Sequence, residues 1–220
     1  KSHVFYLKEG CVATALSWIF LSFFGALPFW ISGEIPSLID ALFETVSGFT
    51  TTGSSILADV EALSHCALFW RSFTHWIGGM GVLVFLLAVI PLSGGSHINL
   101  MRAESPGPSV GKLVPKIKYT AQILYIIYFG MTIVEIVLLL ISRMPAFDAI
   151  TLSFGTAGTG GFALNSAGIA GYGSPAIEIV LGIFMILFGI NFNTYFLLLL
   201  RKFKEALTSE ETAVYFGVIG

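Results

Sequence analysis

The sequence predicts an all-α polytopic membrane protein built from two copies of one unit. Composition is the first reason: 55% of the 220 residues are hydrophobic and 11% are charged, with a mean hydropathy of +0.87. Soluble domains carry about 25% charged residues. The second reason is a set of four long apolar stretches, and the third is a motif that occurs twice between them. We expect each unit to contain a span, a short re-entrant helix, a loop and a second span.

The four apolar stretches each exceed the roughly 20 residues needed to cross the hydrocarbon core of a bilayer. Three of them contain no charged residue, and the third along the chain contains only Glu135. They run from Gly10 to Gly33, Ser72 to Met101, Tyr119 to Ser142 and Ile179 to Leu200. The sequence therefore predicts four spanning helices.

Basic residues predict the orientation of these helices, because Lys and Arg are retained on the cytoplasmic side of a membrane. Nine of the eleven basic residues precede the first stretch, separate the second from the third, or follow the fourth. This pattern leaves segments 34–67 and 143–174 on the outer side. Both segments are long and apolar for simple loops.

The repeated motif opens with an Asp-Ala pair in each outer segment, at Asp40 and, 108 positions later, at Asp148. The apolar residues that follow are too few to cross a membrane, so we predict re-entrant helices over 36–50 and 145–158. Ser37 and Asp40 have the spacing of a capping box. The two acids suit two compatible roles, which are stabilising a helix N-terminus and attracting cations to a pore mouth.

A loop rich in threonine and glycine follows each predicted helix, at 51–55 and 159–163. Consecutive carbonyl groups can replace the hydration shell of a cation when some residues accept a positive φ, which glycine does without steric cost. The C-terminal end of each helix would also direct its negative dipole end towards that cation. The loops therefore indicate ion conduction. The alternative is a close helix-packing face of small residues.

Four motifs carry a resemblance to a known family. They are Glu44-Thr-Val-Ser-Gly-Phe-Thr-Thr-Thr-Gly-Ser-Ser, Arg71-Ser-Phe-Thr-His-Trp-Ile-Gly-Gly-Met-Gly, Arg102-Ala-Glu-Ser-Pro-Gly-Pro and Gly158-Thr-Gly-Gly-Phe. In this order they closely resemble the TrkH-type pore subunit of the Trk/Ktr/HKT potassium transporters. The resemblance implies a potassium-channel-like fold of four units around one pore, and a filter whose backbone binds potassium, the transported ion. The implied filter residues are Thr51, Thr52, Gly53, Thr159, Gly160 and Gly161.

The resemblance also implies an organisation for the whole chain. Residues 1–92 form the first unit, 93–118 a cytoplasmic linker, 119–204 the second unit and 205–220 the start of a further one. The chain has no initiator Met and ends in an apolar run, so we expect it to be part of a longer protein. The family's gate, in its third unit, would lie beyond this sequence.

Potassium uptake across the cell membrane, the inner membrane of a bacterium, is the implied function. The implied partners are membrane lipid, a cytosolic nucleotide-binding regulatory subunit of the TrkA/KtrA type, and a second copy of the full-length protein. Nucleic acid is not expected, and no motif of an intramembrane enzyme occurs. The alternative is a sodium-permeable or proton-coupled cation transporter of the same fold. Some family members that tolerate sodium have Ser at the first filter glycine, so Gly53 and Gly161 favour potassium.

Several polar residues have open interpretations. An unpaired carboxylate at Glu135 would be costly in a membrane, so this side chain is either a protonated or helix-bonding acid or a pore-related one. Arg71 could pair with Glu44 or with another outer acid. His75, next to Trp76, is interpreted as an interfacial anchor.

Asn191 and Asn193 interrupt the fourth apolar stretch, either as helix–helix hydrogen-bonding residues or as part of the inner pore lining. Gly78, Gly79 and Gly81 are expected to let the second span pack closely on a pore helix. Cys11 and Cys66 are expected to be small buried hydrophobic residues rather than a disulfide or a metal site.

Overall fold

The computed structural model describes residues 7–81, 117–207 and 210–219, which form helices joined by loops. The first unit contains α1 (Leu7–Ile31), α2 (Leu38–Phe49) and α3 (His65–Gly79). The second contains α4 (Ile117–Ile141), α5 (Ala146–Ala157), a short 3₁₀ helix (Gly168–Tyr172) and α6 (Pro175–Gly189). The helices α7 (Phe192–Leu199), α8 (Phe203–Leu207) and α9 (Glu210–Ile219) follow.

Two of the four predicted spans are confirmed as long apolar helices. The segments Cys11–Ile31 in α1 and Ala121–Ile141 in α4 are each 21 residues long, enough to cross a membrane. The second predicted span begins within α3, and its residues beyond Gly81 lie outside the described part of the chain. So do residues 93–116 of the predicted linker. Cys11 and Cys66 are exposed rather than buried, so that prediction was wrong.

The fourth predicted span is not one helix, so the expectation of a continuous span from Ile179 to Leu200 was wrong. Helices α6 and α7 are bent by 84° at a short break after Gly189. Asn191 caps α7 by accepting a 2.8 Å hydrogen bond from the backbone N–H of Asn193, and its side-chain amide donates to Glu211 of α9 at 2.8 Å. Apolar length indicates how far a segment can reach, whereas these polar contacts decide that it turns.

The two short helices of the repeated motif are confirmed as α2 and α5, each 12 residues long. Ser37 caps α2 by accepting a 3.3 Å hydrogen bond from the backbone N–H of Asp40. Helix α5 begins after Pro145, which provides no side-chain cap. Asp148 instead accepts a 2.8 Å hydrogen bond from the hydroxyl of Tyr172, and burial together with this bond raises the pKa of Tyr172. Asp148 therefore ties the 3₁₀ helix to the start of α5.

Helix α3 joins the two units, because it packs on α2 in its own unit and on α5 in the second. Helices α1 and α4 cover the other sides of α2 and α5 respectively. Trp70 of α3 donates an indole hydrogen bond to the carbonyl of Gly25 in α1 at 2.9 Å. The hydroxyl of Tyr128 in α4 donates to the carbonyl of Trp76 in α3 at 2.9 Å. Both short helices are thus enclosed by longer ones.

The two units match position by position. Helices α2 and α5 lie 108 positions apart, as predicted, whereas the longer helices α1 and α4 lie 110 positions apart, as do α3 and α6. Backbone conformation follows the second offset: Gly33, which follows α1, has φ +76°, and Arg143, which follows α4, has φ +65°. Ser64 and Ser174 correspondingly precede α3 and α6 as N-caps.

These paired N-caps generate a prediction. The Ser64 hydroxyl accepts from the backbone N–H of Ala67 at 3.2 Å and donates to Glu34 at 2.5 Å, whereas the Ser174 side chain makes no cap hydrogen bond. Ser64→Ala should lower the free energy of unfolding by about 1 kcal/mol, the usual cost of losing a cap. Ser174→Ala is the matched control and should leave it nearly unchanged. Thermal unfolding of the full-length protein in detergent measures both, and equal effects would contradict this description of the caps.

Candidate ion-coordinating loops

Both short helices end in a Schellman motif, in which carbonyl groups of the last helical turn accept hydrogen bonds from backbone N–H groups of the residues beyond the helix. In the first unit the N–H of Thr51 donates to the carbonyl of Gly48 at 3.0 Å. The N–H of Thr52 donates to the carbonyl of Ser47 at 2.9 Å. The matching bonds of the second unit are 2.7 and 3.1 Å long. The chain therefore leaves both helices along the same path.

The loops repeat an unusual backbone conformation. Thr51 and Thr159 both have φ +54°, and two residues later Gly53 has φ +76° and Gly161 has φ +74°. A positive φ is expected for the glycines, but for β-branched residues it is a genuine outlier. Such strain persists only where surrounding structure determines the backbone, and it concentrates at functional sites. In the sequence, the feature that marks this conformation is the repeated Thr/Gly motif, which places a threonine at the C′ position of both helices.

The carbonyl groups of these loops are available to a ligand. The backbone N–H groups of Thr51, Thr52 and residues 159–161 all donate to the helix that precedes them. Within the described part of the chain, none of the carbonyl oxygens of 51–53 and 159–161 accepts a hydrogen bond. Thr52, Thr159 and Gly161 are exposed, and Thr51, Gly53 and Gly160 are partly buried, so water or a cation can reach these oxygens. Six unpaired carbonyl oxygens at the ends of two helices can therefore act as ligands for a cation.

The two loops approach each other closely, although 108 positions separate them. A Cβ atom at Gly53 would overlap the carbonyl oxygen of Gly160. A Cβ atom at Gly161 would lie 3.3 Å from the terminal methyl group of Met185, which is a flexible neighbour. Glycine is thus required twice over at Gly53, by φ and by contact, and by φ alone at Gly161. The structure brings the sequence-predicted filter residues of both units together.

A buried ion pair fixes the first loop. The Nε of Arg71, in α3, lies 2.5 Å from Oε1 of Glu44, in α2, and the two side chains are 3% and 0% exposed. Glu44 also accepts hydrogen bonds from the hydroxyl of Ser55 at 3.0 and 3.1 Å and from the backbone N–H of Ile56 at 3.0 Å. Of the partners that the sequence left open for Arg71, the structure selects Glu44. The carboxylate therefore holds the end of the first loop.

The same arginine holds the second loop. Its Nη1 donates a 3.0 Å hydrogen bond to the carbonyl of Ala163, and its guanidinium lies 3.6 Å from the ring centre of Phe162. A cation over an aromatic face is stabilised by the quadrupole of the ring, more strongly when both are desolvated. Arg71 therefore links the ends of the two loops, directly at Ala163 and through Glu44 at Ser55. Sequence reasoning identified the pair with Glu44 as one option and missed the link to the second unit.

The second unit uses different chemistry at the equivalent positions. Leu152 in α5 stands 108 positions after Glu44, and Leu181 in α6 stands 110 positions after Arg71. Both leucines are buried in one apolar cluster. Replacing a buried ion pair with well-packed apolar residues often leaves stability unchanged or improves it. The two helices thus reach the same loop conformation with an ion pair in one unit and apolar packing in the other.

His75 is buried rather than interfacial, so its interpretation as an anchor was wrong. Its side chain is 0% exposed and stacks on Phe162, with ring centres 3.9 Å apart. A Cβ atom at Gly160 would overlap its ring. The burial arises because α3 packs on α5, a contact between the two units. His75 therefore supports the second loop from behind.

The predicted close packing of Gly78 and Gly79 is confirmed. A Cβ atom at Gly78 would overlap the carbonyl oxygen of Phe49, the last residue of α2. At Gly79 it would lie 2.7 Å from the Cα of Gly158, just after α5. The C-terminal end of α3 therefore touches the end of both short helices.

Comparison with known proteins gives consistent matches along nearly the whole chain. Residues 1–216 match the family model TrkH, described as a cation transport protein. The chain is 40% identical over 215 residues to the Trk system potassium uptake protein TrkH of Salmonella typhimurium, covering 96% of this chain and 44% of that protein. It is 36% identical over 214 residues to the Trk system potassium uptake protein TrkG of Escherichia coli, with the same coverage.

A solved structure also matches. The crystal structure of the potassium transporter TrkH from Vibrio parahaemolyticus aligns with a TM-score of 0.71 and 33% identity, covering 89% of this chain and 39% of that one. The match supports the all-α membrane fold predicted from the sequence. The chain spans less than half the length of the relatives that it matches.

The ion pair predicts how substitutions of Arg71 and Glu44 change stability. Arg71→Leu should lower the free energy of unfolding by about 3 to 5 kcal/mol, because it leaves the Glu44 carboxylate buried without a cation. The double variant E44L/R71L should recover much of that loss, because Leu152 and Leu181 occupy the equivalent positions of the second unit. Thermal unfolding of the full-length protein measures both. A double variant as unstable as the sum of its two single variants would show that the carboxylate and the guanidinium do not act as a pair.

Proposed function

The chain belongs to the TrkH family of cation transport proteins, and from this premise we propose that it supplies two of the pore loops of a potassium uptake protein. The carbonyl oxygens of Thr51, Thr52 and Gly53 would coordinate potassium from one side of the pore, and those of residues 159–161 from another. The observation that carries the proposal is that these six oxygens accept no hydrogen bond from the described part of the chain. Carbonyl oxygens in such an arrangement replace the hydration shell of a dehydrated ion.

Electrostatics supports the same assignment. Helices α2 and α5 both end at the loops, so the negative ends of two helix dipoles lie next to the proposed ion. Arg71 is a basic residue that contacts the second loop, at the carbonyl of Ala163, and its charge is paired with Glu44. The loops therefore present a site of negative potential without a carboxylate ligand. Such a site binds a monovalent cation weakly enough to release it again.

The remainder of the pore follows from the family. We propose that two further units complete the ring of carbonyl groups and that a regulatory subunit binds the cytoplasmic side. Placement in the cell membrane accords with the two long apolar helices, and re-entrant placement of α2 and α5 accords with their length of 12 residues. Glycine at Gly53 and Gly161 favours potassium over the sodium-permeable alternative.

The different surroundings of the two glycines generate a prediction. Gly53→Ala adds a methyl group where the Gly160 carbonyl already lies, whereas Gly161→Ala meets only the end of Met185. Both also place a side chain at a positive φ, which costs roughly 1 to 2 kcal/mol. Gly161→Ala should reduce the preference for potassium over sodium by roughly tenfold, and Gly53→Ala should abolish it.

Rubidium uptake by the full-length protein, in cells that lack other potassium uptake systems, measures this preference with sodium as the competitor. The amount of each variant in the membrane serves as the control for folding. Wild-type selectivity in both variants would exclude these loops as the filter.

A further inference from the structure

Glu135 is a buried acid that the proposed pore does not use. It lies in α4, inside the segment Ala121–Ile141 that is long enough to cross a membrane, and its residue is 0% exposed. Neither carboxyl oxygen accepts a hydrogen bond from the described residues. It takes part in no ion pair among those residues. A buried polar group in this state requires a physical explanation.

Glu135 lies next to α5, the short helix of the second unit. Helix α4 packs against α5, and the side chain of Thr156, in the last turn of α5, lies close to the carboxyl group. Thr156 is itself buried, and its hydroxyl donates a 2.9 Å hydrogen bond to the carbonyl of Leu152. Ser153, one turn earlier on α5, is also buried, and its hydroxyl has no hydrogen-bond partner in the described part of the chain. The acid therefore lies against a helix face that offers hydroxyl groups and no cation.

Comparison of the two units separates space filling from chemistry. Gly25 of α1 occupies the position equivalent to Glu135, 110 residues earlier, and Phe49 of α2 occupies the position equivalent to Ala157 of α5. A Cβ atom at Gly25 would lie 2.6 Å from the ring of Phe49. In the first unit the large side chain is thus on the short helix, as Phe49 of α2. In the second unit it is on the long helix, as Glu135 of α4. An apolar side chain would suffice to fill the space, so the carboxyl group needs a reason of its own.

The hydrogen-bond inventory supplies that reason. A hydroxyl group has one hydrogen to donate, and Thr156 gives its hydrogen to Leu152. The Thr156 oxygen can therefore only accept. An ionised carboxylate can only accept as well, so the two could not bond to each other, whereas a protonated carboxyl group has an O–H to donate. Keeping the proton also avoids the cost of a buried charge without a partner.

We propose that Glu135 keeps its proton and is a positioning residue for the second loop, with its carboxyl O–H donating to the hydroxyl oxygen of Thr156. The contact is transmitted through the backbone of Thr156. The carbonyl of that residue accepts the 2.7 Å hydrogen bond from the N–H of Thr159, the residue with φ +54° that begins the proposed ion site. The chain of contacts runs from α4 through the last turn of α5 to the strained threonine. The effect on ion selectivity rests on the proposed function, whereas the protonation of Glu135 does not.

The test compares two substitutions of nearly equal size in the full-length protein. Glu135→Gln retains a donor, in its amide group, and should keep the preference for potassium over sodium within about twofold of wild type. Glu135→Met retains the volume and removes the donor. It should reduce the preference about fivefold, the factor that corresponds to one hydrogen bond of ordinary net strength. Thr156→Val removes the acceptor and should act similarly, and E135M/T156V should be no worse than either single variant, because both break one bond.

Two outcomes overturn the proposal. Equal losses in E135Q and E135M would mean that the carboxylate charge is needed, and wild-type selectivity in E135M would mean that the side chain only fills space. A second readout is independent of transport. The infrared difference spectrum of E135Q against wild type should show the loss of a protonated carboxyl band at neutral pH, and the loss of an ionised carboxylate band instead would refute the proposal. If the wild-type protein showed no preference for potassium, the proposed function would fail, and the infrared result would still decide the protonation state of Glu135.

Discussion

The buried contact between Glu44 and Arg71 is the constraint on which the arrangement of the two loops depends. Two charges removed from water must be almost completely hydrogen-bonded, because any group left unpaired costs several kcal/mol. Glu44 meets this requirement with the hydroxyl of Ser55 and the backbone N–H of Ile56, and Arg71 meets it with the carbonyl of Ala163, the last residue of the second loop. Satisfying one ion pair therefore fixes α2, α3 and both loops relative to one another.

The second unit reaches an equivalent loop without that pair, which separates the conformation of the loops from the contacts that hold it. The common features are the Schellman end, the positive φ of a threonine and of a glycine, and the unpaired carbonyl groups. The supports differ, since Leu152 and Leu181 replace the ion pair and Glu135 occupies the position of Gly25. The two units thus share the backbone conformation of the loops, and different combinations of charge and volume in the surrounding side chains hold it.

Those features that depend on local sequence could be predicted, and those that depend on contacts between units could not. Apolar length was sufficient for α1 and α4, and the repeated Asp-Ala motif was sufficient for the two short helices. The left-handed conformation of Thr51 could not be predicted from residue preference, because β-branched residues disfavour a positive φ. Hydrogen bonds to the preceding helix and contacts with neighbouring elements hold it. His75 stands next to Trp76 in the sequence, as an interfacial residue would, and it is buried only because α3 packs on α5. The bend at Asn191 escaped prediction because hydropathy measures length rather than continuity.

The central claim is that the carbonyl groups of 51–53 and 159–161 bind a dehydrated potassium ion. Anomalous scattering from rubidium in crystals of the full-length protein tests it most directly, because rubidium replaces potassium and its position can be measured without reference to transport. We expect rubidium peaks between the two loops, in contact with carbonyl oxygens from both. Well-ordered loops without such peaks, or peaks held only by side-chain carboxylates elsewhere, would contradict it.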